Sequence, residues 1–72
     1  MISFKPLWHT LIERDIGKLQ LMEMVGFSRG TLAKMGHNEY VAMSVIDSIC
    51  RTLGCRVEEV MEFVPDQEVV EE

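Results

Sequence analysis

Two cations, Arg29 and Lys34, carry the most specific chemistry the chain offers. They lie in the stretch Leu21-Met22-Glu23-Met24-Val25-Gly26-Phe27-Ser28-Arg29-Gly30-Thr31-Leu32-Ala33-Lys34-Met35. At helical spacing Leu32 and Met35 turn inward, which leaves Arg29, Gly30, Ala33 and Lys34 together on the outer face. Either cation alone would be an ordinary solvated side chain. Their value comes from sharing one outward face of a helix that follows a tight glycine turn. Other chemistry is poorly represented. No nucleophile-base pair, phosphate loop or paired carboxylates stand in a pocket-forming context, so an enzyme with a small-molecule substrate is not expected. Cys50, Cys55, His9 and His37 form no ligand pattern, and no metal or other cofactor is expected. The two cysteines straddle a predicted helix end, a poor geometry for a disulfide. His9 reads as a surface residue.

The elements that must position these cations are short helices. Leu7, Trp8, Leu11 and Ile12 form a stripe beginning just after Pro6, and Asp15-Ile16-Gly17 breaks it. A second helix carries Leu21, Met24 and Val25, with Gly26 at its left-handed end. Ser28 offers an N-cap hydroxyl to a third, and Phe27 before it can staple onto Leu32. That helix runs from Ser28 to Met35 and stops at Gly36-His37-Asn38. A fourth has Ile46, Ile49, Cys50 and Leu53 at i, i+3, i+4, i+7 and ends at Gly54. The spacing of Val57, Val60, Met61 and Val64 predicts a fifth, closed by Pro65, with Glu58 and Glu59 favouring its N-terminal dipole. No strand signal competes, although Glu68-Val69-Val70 is locally ambiguous. The expectation is an all-α bundle of five short helices over residues 1–65, followed by an acidic tail over 66–72.

Composition sets the outer bounds. With 72 residues, 47% of them hydrophobic, one small core and no separate sensing domain are expected. A chain this short buries only about 60% of its unfolded surface, so stability is modest. Trp8 and most of the six methionines read as core or core rim, with Met22 and Met43 as candidates for an interface. No apolar run approaches the roughly 20 residues needed to cross a bilayer. Nor does the N-terminus show a basic region followed by an apolar run. A cytoplasmic location with no membrane partner is therefore expected. The net charge is −5, but it is unevenly placed. Up to Arg56 seven basic residues face five acids, and from Val57 onward there are seven acids and no base. Acids held on the far side of a domain are largely screened beyond about 8 Å at physiological salt, so the total does not veto an anionic partner.

Two short helices around a tight turn, the second offering its N-terminal residues outward, follow helix-turn-helix logic. From Phe4 to Pro65 the chain resembles the Cro/C1-type (XRE-like) helix-turn-helix family, specifically its minimal single-domain members. The resemblance rests on the Trp8 helix, the Gly26-Phe27-Ser28 turn, Thr31-Leu32-Ala33-Lys34-Met35, and Ile49-Cys50 to Leu53-Gly54-Cys55. It implies a lambda-repressor-like fold and a bacterial transcription regulator of double-stranded DNA. Small regulators of this kind accompany mobile-element and resistance operons, vancomycin resistance among them. Residue by residue, it implies that Arg29, Gly30 and Lys34 read bases. Ser28, Thr31 and Lys18 would meet phosphate, and His37 and Asn38 would flank the DNA backbone. Arg29 matches a position suited to guanine N7 and O6, whereas Gly30 leaves a gap in the reading face. Leu19, Ala42 and Arg56 stand where caps are expected, each costing about 1 kcal/mol. Specificity from one short helix calls for a homodimer on a two-fold site, with the fifth helix and Val69-Val70 as the expected dimer elements. The alternative is a module that binds a protein partner through the same fold.

Overall fold

The Lys5 amide donates to Ser3 Oγ at 3.2 Å, and Pro6 fills a first-turn position that needs no N–H. From there α1 runs over Lys5–Arg14 and stops where Asp15 turns left-handed, φ 58°. The computed structural model describes residues 1–65. The acidic tail 66–72, with the ambiguous Glu68-Val69-Val70 and the dimer role expected of Val69-Val70, lies outside the described residues. α2 spans Lys18–Val25, α3 Arg29–Gly36 and α4 Met43–Leu53. α2 begins two residues earlier than its missing cap at Leu19 implied. Gly17 is its N-cap, and the Gly17 N–H donates to Gln20 Oε1 at 3.3 Å, half of a capping box. Ala42 caps α4 without a side-chain bond, as its sequence position foretold.

The expected fifth helix does not form. Val57–Glu59 make a single 3-10 turn, and Glu62–Phe63 then extend as a strand, β2. β2 pairs antiparallel with β1, Ile2–Ser3, in the register Ile2 to Phe63 and Ser3 to Glu62. Among the described residues there are thus four α-helices and a two-stranded sheet, not an all-α bundle of five helices. The physical reason is in the hydrogen bonds. The Thr10 hydroxyl donates to the Glu59 carbonyl at 2.8 Å, and that carbonyl is the acceptor a continuing helix would need for the Phe63 amide. Pro65 also drives Val64 towards extended backbone. The Val64 amide then finds the Met1 carbonyl at 2.7 Å, and the Met1 ammonium donates to the Val64 carbonyl at 2.7 Å. Apolar spacing of i, i+3, i+4 was satisfied by one turn, and nothing local announced a strand partner sixty residues away.

All four α-helices contribute to one core. Phe4, Leu7 and Leu11 enter from the first turn and α1, Leu21 from α2, and Met35 from α3. Ile46, Ile49 and Leu53 come from α4, where three buried residues line one face, and Val60 closes the base. Arg14 reaches across to donate to the Leu53 carbonyl, which otherwise has no intrahelical partner at the end of α4. Asn38, left-handed at φ 57°, accepts the Phe4 amide on its Oδ1 at 2.9 Å. The loop after α3 is thereby tied to the start of α1. No helix among the described residues is long and apolar enough to cross a membrane.

Because Thr10 both fills buried space and terminates the turn, Thr10→Val keeps volume and deletes the donor. We expect a loss of about 1 kcal/mol in urea unfolding, with β1–β2 amides exchanging faster than those of α4. A variant as stable as the parent would show that the turn is held without this bond.

Candidate nucleic-acid interface

The turn between α2 and α3 fixes where the cations go. Gly26 ends α2 at φ 95°, a conformation that strains any residue with a Cβ, and its amide donates to the Met22 carbonyl at 2.8 Å. Ser28, in extended backbone, then caps α3. Its Oγ accepts the Thr31 amide at 3.1 Å and its hydroxyl donates to Thr31 Oγ1 at 3.2 Å. With the Ser28 proton committed to Thr31, the Thr31 hydroxyl is the one left to donate outward. Phe27 and Leu32 are both half-buried against the core. Met35, completely buried, locks the rotation of α3 about its axis. Arg29, Gly30, Ala33 and Lys34 are accordingly exposed on one face.

The other cations are mostly engaged within the fold. Arg14 serves the end of α4, Arg51 pairs with Asp47 one turn away at 3.0 Å, and Arg56 lies 3.7 Å from Glu58. These exposed pairs contribute little stability, but they partly neutralise their cations. Arg29 and Lys34 have no acidic partner among the described residues. Lys18, in the first turn of α2, rests its ammonium 4.5 Å from the centre of the Trp8 ring. Sequence reasoning placed Lys18 here but missed the ring beneath it, since Trp8 lies ten residues away on another helix. The cation–π contact steadies the side chain while the ammonium stays exposed.

The remaining predicted residues divide. His37 ends α3, exposed, its amide bonded to the Ala33 and Lys34 carbonyls at 3.2 and 3.1 Å. Asn38 is half-buried with its oxygen turned inward to Phe4, so its first duty is structural. Gly30 has open space. A Cβ there would meet only Ser28 Oγ, at 3.7 Å, so the fold does not require glycine at this place. Beside the turn lies a shallow groove of about 300 Å³ lined in part by Ser28, Thr31, Ser44 and Ser48, with no ionisable group on its walls. No group of three His, Cys, Asp or Glu among the described residues could hold a metal. Cys50 and Cys55 are free thiols, and burial, reinforced by the neighbouring Cys50, pushes the Cys55 thiol up from its ordinary range. A thiol held protonated in this way is a poor nucleophile.

The comparisons with known proteins agree with this geometry. Residues 6–66 match the model of the Cro/C1-type HTH DNA-binding domain. A solved structure, described as the crystal structure of transcriptional regulator VanUg (form II), superposes with a TM-score of 0.87. It is 42% identical and covers 90% of this chain and 87% of that chain. No curated protein matches.

Two substitutions test the construction of α3. Ser28→Ala removes the cap and should cost about 1 kcal/mol, lowering Tm by roughly 4–8 °C. Gly30→Ala should do the opposite, adding about 0.5–1 kcal/mol, because space is free and helix propensity improves. Both are read by thermal unfolding. A destabilised Gly30→Ala would mean the helix is packed more tightly than its open surroundings allow.

Proposed function

The chain belongs to the Cro/C1-type helix-turn-helix DNA-binding family, and on that premise we propose a sequence-specific transcriptional regulator that binds a two-fold operator as a homodimer. In this reading residues 1–65 form the DNA-binding domain, α3 lies in the major groove, and the acidic tail 66–72 stays off the DNA. The protein works in the cytoplasm, and the family is one of DNA-binding regulators rather than enzymes. The observation that carries the proposal is the pair Arg29 and Lys34, exposed on one face of a capped helix and unmatched by any acid among the described residues. Arg29 reads guanine N7 and O6 with its two-pronged guanidinium, and Lys34 settles on a base or a phosphate. Thr31 donates its hydroxyl to phosphate, positioned by Ser28. Lys18, held on Trp8, meets phosphate at the α2 N-terminus, where helix amides also favour an anion. His37 and Asn38 flank the backbone at the far end of α3. Gly30 contributes no side-chain contact and lets the helix backbone approach the bases closely.

One helix reads about four to six base pairs, so two copies on half-sites about 34 Å apart supply the specificity. A second reading, the same fold used to bind a protein partner, is favoured by the gap at Gly30 and the acidity after Arg56. Duplex selection from a random pool separates the two. The DNA reading expects a palindromic site, binding that weakens with salt, and Arg29→Ala raising Kd roughly 5- to 150-fold with relaxed preference at one base position. Lys34→Ala should lower the salt slope by about 1 if it holds phosphate. No enriched sequence, with affinity flat against salt and indifferent to both substitutions, would falsify the proposal in favour of the protein partner.

A further inference from the structure

β1, the loop before α4 and the start of α4 frame an apolar cavity of about 190 Å³, with Ile2, Val41, Ile46 and Met61 among its walls. At its rim Tyr40 is 80% exposed and Met43 62%. Phe63, 71% exposed, stands opposite Ile2 in the antiparallel register, so its ring lies on the same sheet face. Tyr40 and Phe63 alone leave on the order of 300 Å² open. With Met43 and the partly open Ile2 and Met61 the exposed area sums to roughly 500 Å², in the range of the largest apolar patch on a soluble monomer and over half of one side of a standard interface.

We propose that this face is the homodimer interface, and that its occupant is the same face of a second copy. Three observations select that occupant. First, the surface is self-complementary: a protruding Tyr40 ring stands beside a cavity large enough to receive one, as a two-fold contact requires. Second, no charged side chain lines the cavity itself, and its aromatic and methionine content is that of an interface core. Third, Tyr40 follows α3 by only four residues, so a contact made here lies next to the reading helix along the chain. The proposal rests on the dimeric reading above and replaces the fifth helix, which does not form, with a face built from Ile2, Tyr40, Met43, Met61 and Phe63.

Sedimentation equilibrium of the full chain without DNA tests it. The parent should self-associate to a dimer. Tyr40→Ala and Met43→Glu should each weaken that association by roughly tenfold or more. Met43→Glu is chosen because an acid in the first turn of α4 suits the helix dipole, and unchanged far-UV circular dichroism confirms that both variants fold. Ile12→Glu, at an exposed position on α1, should leave association unchanged. A chain that stays monomeric, or a dimer indifferent to both rim substitutions, overturns the proposal. So does a dimer lost on Val69→Glu or Val70→Glu alone, because the tail would then be the contact. A chain that dimerises here yet selects no duplex would leave the surface standing and remove the operator reading. Duplex selection by a monomer would do the reverse.

Discussion

The rotation of α3 about its own axis is the constraint on which the rest depends. A helix presents any side chain outward only because others are held inward, and here Met35 at one end and Leu32 in the middle do the holding. Were α3 turned by one residue, about 100°, Lys34 would move off the open face. The turn before it is equally determined. Gly26 supplies a left-handed step, Ser28 satisfies the Thr31 amide, and the entry angle of α3 follows from the two together. Leu21 on α2 and the buried face of α4 belong to the same core as Met35. What can touch a partner is therefore set by packing rather than by charge.

Charge enters second, by subtraction. The domain carries few basic residues, and the fold commits several of them: Arg14 to the end of α4, Arg51 to Asp47, Arg56 to Glu58. What remains towards the α2–α3 side is a small set, Arg29 and Lys34 on α3 with Lys18 resting on Trp8. An acidic protein can present a cationic face in this way, because its acids concentrate after Arg56 in the sequence and Arg29 and Lys34 meet no acid among the described residues. Modest non-specific attraction and reliance on a few well-placed contacts follow from the same arrangement.

The sequence showed most of this, within limits that can be named. Helix ends were legible because Gly26, Ser28 and Gly54 act through their own backbone conformation or their nearest neighbours, and the outward set Arg29, Gly30, Ala33 and Lys34 followed from periodicity alone. The fifth helix is not legible as absent because Val57, Val60, Met61 and Val64 have helical spacing, while the groups that stop the helix, Thr10 and the Met1–Ser3 segment, lie about fifty to sixty residues away. Long-range hydrogen bonds leave no local signature. The same applies to the oxygen of Asn38, turned inward to Phe4, and to the Trp8 ring under Lys18. Met43 is a candidate contact from the sequence, whereas Tyr40 and Phe63 carry no local signal, and only the sheet brings Phe63 beside Ile2.

The central claim is that the outward face of α3 meets DNA. Titrating the isotope-labelled full chain with its selected duplex, and following backbone amides by NMR, addresses it at each residue. The account predicts the largest shifts at Ser28 to Lys34 and at Lys18, with α1 residues around Ile12 little changed. Shifts concentrated away from α3, with Arg29 and Lys34 unmoved at saturation, would contradict it.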